Sequence, residues 1–351
     1  MPGEKLLAST IAKDYQEEIT SFVRSLASDG IPAPLLVGLL ASDDPAAAQY
    51  AEWTRRAFLA DGLRYEVRRV APTDVESALT DLNTDPNVHG ILVYYPIFGQ
   101  EQSLSGSSID DYLRDSVVPS KDVEGLCHTY RTSLYRNVRY LDGDPSLKCV
   151  LPCTALSVVK ILEHAGVYDA KKTVGDRCRG RVVTVVNRSE IVGRPLAAML
   201  ANDGAKVYSV DVDSIYVFEG GRMRAVGAAE TPESCVRRSH VVVTGVPSKG
   251  YNLPAGWLRE GAVVVNVASF KNVKADDALK VEGVKYCGMV GKVTVKMLER
   301  NLCRLYNQYH RPGLRKREGR REAAHFAVSA YTAVVATAAL ALGLAVLGRR
   351  R

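Results

Sequence analysis

Between Val182 and Asp211 the chain reads VVTVVNRSEIVGRPLAAMLANDGAKVYSVD, an order of residues that few folds accept. Val182–Val186 is a continuous apolar run of the kind a parallel strand covered on both faces requires. Asn187-Arg188-Ser189 turns the chain. Pro195 suits the first turn of a helix, where its missing N–H costs nothing, and Gly204 suits the position after the helix end. Val207–Val210 then reads as a second strand. Asp211 follows Asn187 by 24 residues, where a dinucleotide-binding unit places the group that meets the adenosine ribose. A carboxylate there accepts hydrogen bonds from the ribose hydroxyls and repels a 2′-phosphate, so the residue type favours NAD over NADP. The turn lacks a G-x-G-x-x-G pattern: Asn187 stands where the first glycine would be, and Gly193 is its only glycine. Taken alone, the segment also fits an ordinary βαβ unit whose strand-end Asp caps a turn.

At 351 residues the chain has room for two domains of roughly 150 residues each. Its 46% hydrophobic and 24% charged residues are those of a globular protein. The net charge of +7 is concentrated at one end, since residues 315–351 carry eight basic side chains against two acidic ones. The body is therefore nearly neutral and lacks the footprint of a nucleic-acid binder. The seven cysteines contain no C-x-x-C pair, and Cys149 and Cys153 have no His cluster nearby, so no zinc or other metal site is expected. An odd number of cysteines and an N-terminus without an apolar core segment point to free thiols in a reducing compartment.

The first half is expected to contain a helix over Ala8–Ser28, a strand Pro34–Leu40 and a helix capped at Asp43/Asp44-Pro45. A strand Tyr65–Val70, a helix Asp74–Asn83 and a strand Gly90–Tyr95 follow, then a polar loop Lys121–Gly125. Arg139–Asp142 and Lys148–Leu151 suggest a short hairpin about Gly143-Asp144-Pro145. After the helix Thr154–Ala165 come the opening segment, an inserted hairpin or lobe (Tyr216–Arg238), and strands at Val241–Thr244, Ala262–Val267 and Val284–Met289. A long helix is expected over Thr294–Tyr309. Chemistry-bearing side chains gather near first-half strand ends. Tyr50 and Thr54 share a helix face, Tyr94 ends a strand, Asp122 and Glu124 share a loop, and Cys153 lies in Leu-Pro-Cys-Thr. Each has a bland alternative, and a cysteine is more often a small buried hydrophobe than a nucleophile.

DPAAAQYAEWT (44–54), GILVYYP (90–96), KDVEGL (121–126), LPCT (151–154), NRSEIVGRPLAAMLANDGA (187–205), TGVPS (244–248) and GKVTVKML (291–298) together resemble the methylenetetrahydrofolate dehydrogenase/cyclohydrolase family over about Leu6–Tyr309. RNVRYLD (136–142) and the insertion after Asp211 are similar to its fungal-type, monofunctional, NAD-dependent branch. The resemblance implies an α/β chain of two domains. An N-terminal folate-binding domain covers 1–155 and is completed by a helix 294–310; a Rossmann-like NAD-binding domain covers 156–293. It implies a homodimer in the cytoplasm that oxidises polyglutamylated 5,10-methylenetetrahydrofolate, within one-carbon metabolism and purine biosynthesis.

Site residues follow from the same resemblance. Tyr50, Thr54, Tyr94, Asp122, Glu124, Gly291 and Lys292 are expected to meet the folate, with Tyr50 and Cys153 as catalytic candidates. Asn187, Arg188, Ser189, Gly193, Asp211, Val212, Thr244, Gly245, Val246 and Asn266 are expected to bind NAD. Bifunctional members carry Tyr-x-x-x-Lys, with the lysine central to cyclohydrolysis, where this chain has Tyr50-x-x-x-Thr54. Arg55 and Arg56 are turned away from Thr54 by about 100° and 200° and are poor substitutes. Tyr94 replaces a strand-end glutamine, and Lys292 a more usual proline. Dehydrogenase activity without cyclohydrolase is the expectation.

Beyond a basic linker (311–322), residues 323–348 are 26 positions without Asp, Glu, Lys or Arg. As a helix they would extend about 39 Å, enough for a hydrocarbon core of about 30 Å. A C-terminal hydrophobic helix that anchors the chain to a membrane, or packs on a protein surface, is expected. Two other functions remain compatible with the sequence: a different NAD-linked oxidoreductase, and a non-catalytic, membrane-tethered NAD or folate binder.

Overall fold

The computed structural model describes residues 2–99, 101–102, 106, 108–227 and 229–312. The linker and hydrophobic segment expected at 311–348 lie, from 313 onward, outside the described residues. Within the first half, strand β1 (Glu4–Lys5) precedes helix α1 (Ala8–Ser28), β2 (Leu35–Leu40), α2 (Pro45–Ala60), β3 (Arg64–Arg69), α3 (Val75–Thr84), β4 (Gly90–Val93), α4 (Ile109–Ser116) and α5 (His128–Tyr135). Helix α6 (Cys153–His164) leads to β5 (Val182–Val186), α7 (Gly193–Asn202), β6 (Lys206–Val210), β7 (Ile215–Glu219), β8 (Arg222–Ala225) and α8 (Pro232–Arg238). The remaining elements are β9 (Val241–Thr244), β10 (Val263–Asn266), α9 (Ala275–Ala278), β11 (Lys285–Cys287) and α10 (Gly291–Leu305).

Two sheets organise these elements. The smaller has the order β3-β2-β4 and is wholly parallel. Its central strand, Leu-Leu-Val-Gly-Leu-Leu, is buried almost throughout, and Val37, Leu39, Ile91 and Val93 pack against Val75, Leu79 and Leu82 of α3. The larger has the order β1-β11-β10-β9-β5-β6-β7-β8. From β1 to β6 its pairs are parallel, and its central strands are runs of valine buried on both faces, as the pattern from Val182 predicts. Thr184, a polar residue in this interior, is satisfied by its hydroxyl contact with Ser239 at 2.8 Å.

Of the hairpin or lobe expected after Asp211, the structure shows the hairpin: β7 pairs antiparallel with β6, and β8 with β7, extending the sheet. Gly220 and Gly221 both take positive φ (58° and 73°), the left-handed pair that a two-residue hairpin turn demands. The hairpin expected at Arg139–Leu151 reduces to one antiparallel bridge, Tyr140↔Lys148. There Leu141–Gly143 coils into a 3₁₀ turn, and the Asp144 carboxylate accepts the Ser146 N–H, bending the chain before strands can pair. The polar loop expected at Lys121–Gly125 is a loop, and it is packed into the protein. Lys121 is 4% exposed and its ammonium donates to the carbonyls of Leu82 (2.7 Å) and Asp85 (2.6 Å).

The two halves exchange elements. Although β1 begins the chain, it pairs with β11 in the larger sheet. Helix α10 returns to pack against α1, α6 and α2. The chain divides into a unit of residues 1–305 and a second from 306, whose described part is a π-helical turn Tyr306–His310, with the Arg311 N–H donating to the Tyr306 carbonyl (2.9 Å). The long helix expected over Thr294–Tyr309 therefore begins earlier, at Gly291, and its α-helical part ends at Leu305.

A buried ionic cluster joins α1, α2 and α10. Lys296 contacts Asp61 at the end of α2 and Glu299 on its own helix (2.8 Å), while Gln16 of α1 donates to Asp61 (2.7 Å). One ammonium cannot neutralise two carboxylates. Burial, with Asp61 adding repulsion and Lys296 opposing, pushes the Glu299 carboxyl up to about 8. Between pH 4.5 and about 8 the folded state then holds a proton that the unfolded state releases, so this group's contribution to stability is lost as pH rises through that window. Urea unfolding at pH 6 and pH 9 is expected to show a smaller decline for Glu299→Gln than for the parent chain. Equal declines would contradict this assignment of the proton.

Candidate active site

A cavity of about 140 Å³ lies where the end of β4 meets the starts of α6 and α10, with Ile191 and Val192 of the β5–α7 turn on its far side. It therefore touches both halves of the unit. Tyr50, Tyr94, Glu124 and Cys153, four of the expected folate-site residues, line it together. Tyr95, which the sequence reading passed over, lines it too, and the Arg114 guanidinium lies 4.9 Å from its ring centre.

The two carboxylates of the Lys121–Gly125 loop have different environments. Asp122 is 4% exposed and accepts three backbone N–H groups, from Glu124 (3.1 Å), Gly125 (2.9 Å) and Cys127 (2.7 Å). It shapes the loop and is not among the residues that line the cavity. Glu124 keeps part of its surface in the cavity. Burial first, then the Asp122 charge, pushes its carboxyl up to about 8, with Arg114 opposing.

Cys153 occupies the first turn of α6 and is nearly buried. Its Sγ donates to the Val123 carbonyl (3.3 Å) and receives Asn301 Nδ2 at 3.4 Å. Burial and the charges of Glu124 and Asp122 raise its pKa well above the ordinary thiol value. A thiol held neutral in this way is no nucleophile. Asn301, on α10, also donates to Val123 O (2.8 Å) and Leu151 O (3.0 Å), so one side chain ties the Asp122 loop to the Leu-Pro-Cys-Thr turn. Nothing in the local sequence marks it.

Thr54 is fully buried and its hydroxyl donates to the Tyr50 carbonyl one turn back (2.9 Å). Beside it stands a tyrosine cluster. Tyr50 and Tyr94 meet edge to face with ring centres 5.9 Å apart, and the Tyr94 hydroxyl is hydrogen-bonded to that of Tyr65 on β3. Burial raises all three phenols above their ordinary pKa. Tyr65 is a further residue the sequence reading missed. Gly291 and Lys292 form the exposed first turn of α10, while Thr294 and Leu298, further along the helix, line the cavity.

At the larger sheet the chain leaves β5 for β6 on one side and later crosses to β9 on the other, which creates a crevice at the carboxyl ends of β5 and β9. Asn187 bridges that crevice: Nδ2 donates to the Gly245 carbonyl (2.7 Å), and Oδ1 accepts the Ser189 N–H (2.9 Å) and hydroxyl (2.7 Å). A Cβ on Gly193 would stand 2.0 Å from the Asn187 carbonyl oxygen, so only glycine lets α7 start there. Asp211 and Val212 are exposed in the β6–β7 turn, and one Asp211 oxygen accepts the Val212 N–H (3.0 Å).

Across the crevice, Thr244 and Asn266 are buried. Thr244 Oγ1 donates to Asn266 Oδ1 (3.2 Å), and Asn266 Nδ2 donates to Ala268 O (2.9 Å) and Phe270 O (3.1 Å). Both brace loops. Asn272, absent from the sequence reading, donates to Val246 O (3.0 Å) and accepts the Val246 N–H (2.8 Å), fixing that backbone. Among the described residues no group of three His, Cys, Asp or Glu side chains could hold a metal ion.

This is the framework of an α/β oxidoreductase, with a dinucleotide-type sheet whose β5–α7 turn reaches a cavity holding a few polar side chains. Residues 6–124 match the catalytic domain, and residues 152–310 the NAD(P)-binding domain, of the tetrahydrofolate dehydrogenase/cyclohydrolase family. The chain belongs to that family. It is 44% identical over 304 residues to methylenetetrahydrofolate dehydrogenase [NAD(+)] of Schizosaccharomyces pombe, covering 85% of this chain and 91% of that one. It is 41% identical to the Dictyostelium discoideum protein of the same name over 308 residues, covering 86% and 94%. The solved NAD-dependent 5,10-methylenetetrahydrofolate dehydrogenase of Saccharomyces cerevisiae superposes with a TM-score of 0.79 at 44% identity, covering 87% of this chain and 97% of that one.

The neutral state of Cys153 has a direct consequence. Iodoacetamide at pH 7.5 is expected to leave Cys153 of the folded protein unlabelled over an hour, as read by peptide mass spectrometry. Asn301→Ala, which strips a donor from two buried carbonyls, is expected to cost about 1–3 kcal/mol in urea unfolding. Rapid, selective labelling of Cys153 would mean a stabilised thiolate and would contradict the account.

Proposed function

We propose that this protein catalyses the NAD-dependent oxidation of 5,10-methylenetetrahydrofolate to 5,10-methenyltetrahydrofolate. The observation that carries the reading is the joining of the Tyr50–Glu124 cavity, through Ile191 and Val192, to the turn that starts α7. The family match over both domains supports it. The chain is an oxidoreductase, and its larger sheet has the form that holds a nicotinamide cofactor.

The cofactor fits this crevice on its own terms. Gly193 permits close approach at the helix start, and the exposed Asp211 carboxylate has one oxygen not taken by Val212. Asn187, Ser189, Gly193, Gly245 and Asp211 are the residues that would hold NAD, whose nicotinamide supplies the hydride acceptor when bound. The methylene carbon gives up a hydrogen with its electron pair, and the cation left behind is shared by the two flanking nitrogens. No proton is lost from the folate, so no general base is needed. Tyr50 positions the reduced pterin and p-aminobenzoyl region, while Glu124 accepts pterin N–H donors and, ionised, favours the cationic product.

Cyclohydrolysis asks for more, because water must be activated on the methenyl carbon. Thr54 spends its hydroxyl on the helix backbone, and the phenols of Tyr65 and Tyr94 bond to each other. We read this corner as unsuited to that second step. The reading extends to a homodimer, for which the exposed edge strand β8 offers a pairing surface. It extends also to a polyglutamylated substrate in the cytoplasm, where the free cysteines among the described residues would stay reduced. Among the described residues no helix is long and apolar enough to cross a membrane. Anchorage through residues 323–348 remains the proposal to be tested by carbonate extraction of the full chain against a truncation before Arg315.

Purified protein is expected to form NADH from 5,10-methylenetetrahydrofolate, with kcat/KM higher for NAD than for NADP and little methenyl hydrolysis above background. Glu124 is neutral below and ionised above about pH 8, so kcat/KM is expected to rise between pH 7 and 9. Glu124→Gln is expected to lose that rise and to fall by about 10–100-fold at pH 9. Absence of NADH formation would overturn the function, and an unchanged pH profile in Glu124→Gln would overturn the role of the carboxylate.

A further inference from the structure

Arg188 leaves β5 at the same end of the sheet at which Asp211 leaves β6, because the two strands are parallel neighbours with Val186 opposite Val210. A guanidinium in that position is the natural partner of a ribose 2′-phosphate, since it presents a planar fork of donors to phosphate oxygens. Here the fork is already occupied. Nε donates to Ser209 Oγ (3.2 Å) and Nη1 to Ser214 Oγ (2.8 Å), while Nη2 donates to the carbonyls of Ser209 (2.7 Å) and Ser214 (2.8 Å). Four of its five N–H groups are thus committed. The carbon at the centre of the guanidinium also lies 4.4 Å from the ring centre of Tyr216 on β7.

The same contacts build the turn that carries Asp211. Ser214, held twice by Arg188, accepts the Asp211 N–H on its carbonyl (3.0 Å), and its hydroxyl donates to Asp213 (3.1 Å). The turn between β6 and β7 supplies Ser214 and β7 supplies Tyr216, so the clamp exists because the chain continues as a hairpin after β6. All four acceptors are neutral. They hold the arginine by geometry, and a freed guanidinium would seek an anion.

We infer that Arg188 is a positioning residue for cofactor choice: clamped by Ser209, Ser214 and Tyr216, it fixes the Asp211 turn and is withheld from the ribose 2′ position. NAD preference then rests on a captive arginine as well as on the Asp211 carboxylate. This rests on the reading of Asp211 as the ribose-binding group. Removing the carboxylate should weaken NAD without creating an NADP site; loosening the clamp as well should create one.

Isothermal titration of the purified full chain with NAD, NADP and 5,10-methenyltetrahydrofolate separates the possibilities without turnover. Asp211→Ser is expected to raise Kd for NAD about tenfold, the scale of one lost charged hydrogen bond, and to leave NADP no tighter than NAD. Adding Ser209→Ala, Ser214→Ala and Tyr216→Ala, which removes both hydroxyl bonds and the ring and leaves only the two carbonyl contacts, is expected to tighten NADP at least tenfold, and Arg188→Ala in that background to abolish the gain. In the otherwise native chain, Arg188→Lys is expected to raise Kd for NAD while Kd for the folate stays within twofold.

Preference for NADP in Asp211→Ser alone would mean that the arginine is already free and would overturn the inference. So would a clamp release that does not tighten NADP, or an Arg188→Lys that weakens both ligands equally. An unchanged Kd for NAD in Asp211→Ser would remove the ribose reading itself, and the inference with it.

Discussion

The Asn187 carboxamide holds together the place where the two directions of the larger sheet diverge. Its Nδ2 reaches the Gly245 carbonyl after β9 and its Oδ1 gathers the Ser189 amide and hydroxyl after β5. A glycine at this position would leave those polar groups to water or to a ligand. The asparagine satisfies them within the protein and presses the turn so close to α7 that Gly193 can have no side chain. Around this bridge, β5 and β6 align Arg188 with the Asp211 turn, while Ile191 and Val192 reach the cavity lined by Tyr50 and Glu124.

A second organising feature is the unequal treatment of neighbouring polar groups. Asp122 and Glu124 are two residues apart, yet three backbone amides absorb one carboxylate and the other keeps surface in the cavity. The amides give Asp122 a structural role; burial beside Asp122 gives Glu124 a proton near neutral pH. Asn301 and Cys153 repeat the pattern. The asparagine binds two loops through their carbonyls, and the thiol beside it is kept neutral. Neighbouring polar groups here thus divide between those that hold loops together and those left to the cavity.

Much of the fold was legible because it rests on local patterns. The buried valine strands announce themselves as unbroken β-branched runs, and α1 spans the Ala8–Ser28 segment expected to be helical. The Asp44-Pro45 start of α2 was readable for the same reason, and its side chain accepts the Ala46 N–H at 2.9 Å. The site was less legible where function depends on distance along the chain. Asn301 meets Val123 across 178 residues, and Tyr94 meets Tyr65 from a different strand. Spacing within the Lys121–Gly125 motif could not tell a solvated loop from one whose lysine is buried against α3. Motif position points to Gly291 and Lys292, but they stand exposed at the very start of α10, and Thr294 and Leu298 further along the helix line the cavity.

A crystal structure of the protein with NAD and a folate analogue tests the central claim most directly. The account predicts the adenosine ribose hydroxyls on the Asp211 carboxylate, the Arg188 clamp intact, and the nicotinamide ring facing the folate in the Tyr50–Glu124 cavity. A cofactor whose ribose lies away from Asp211, or a folate seated outside that cavity, would contradict it.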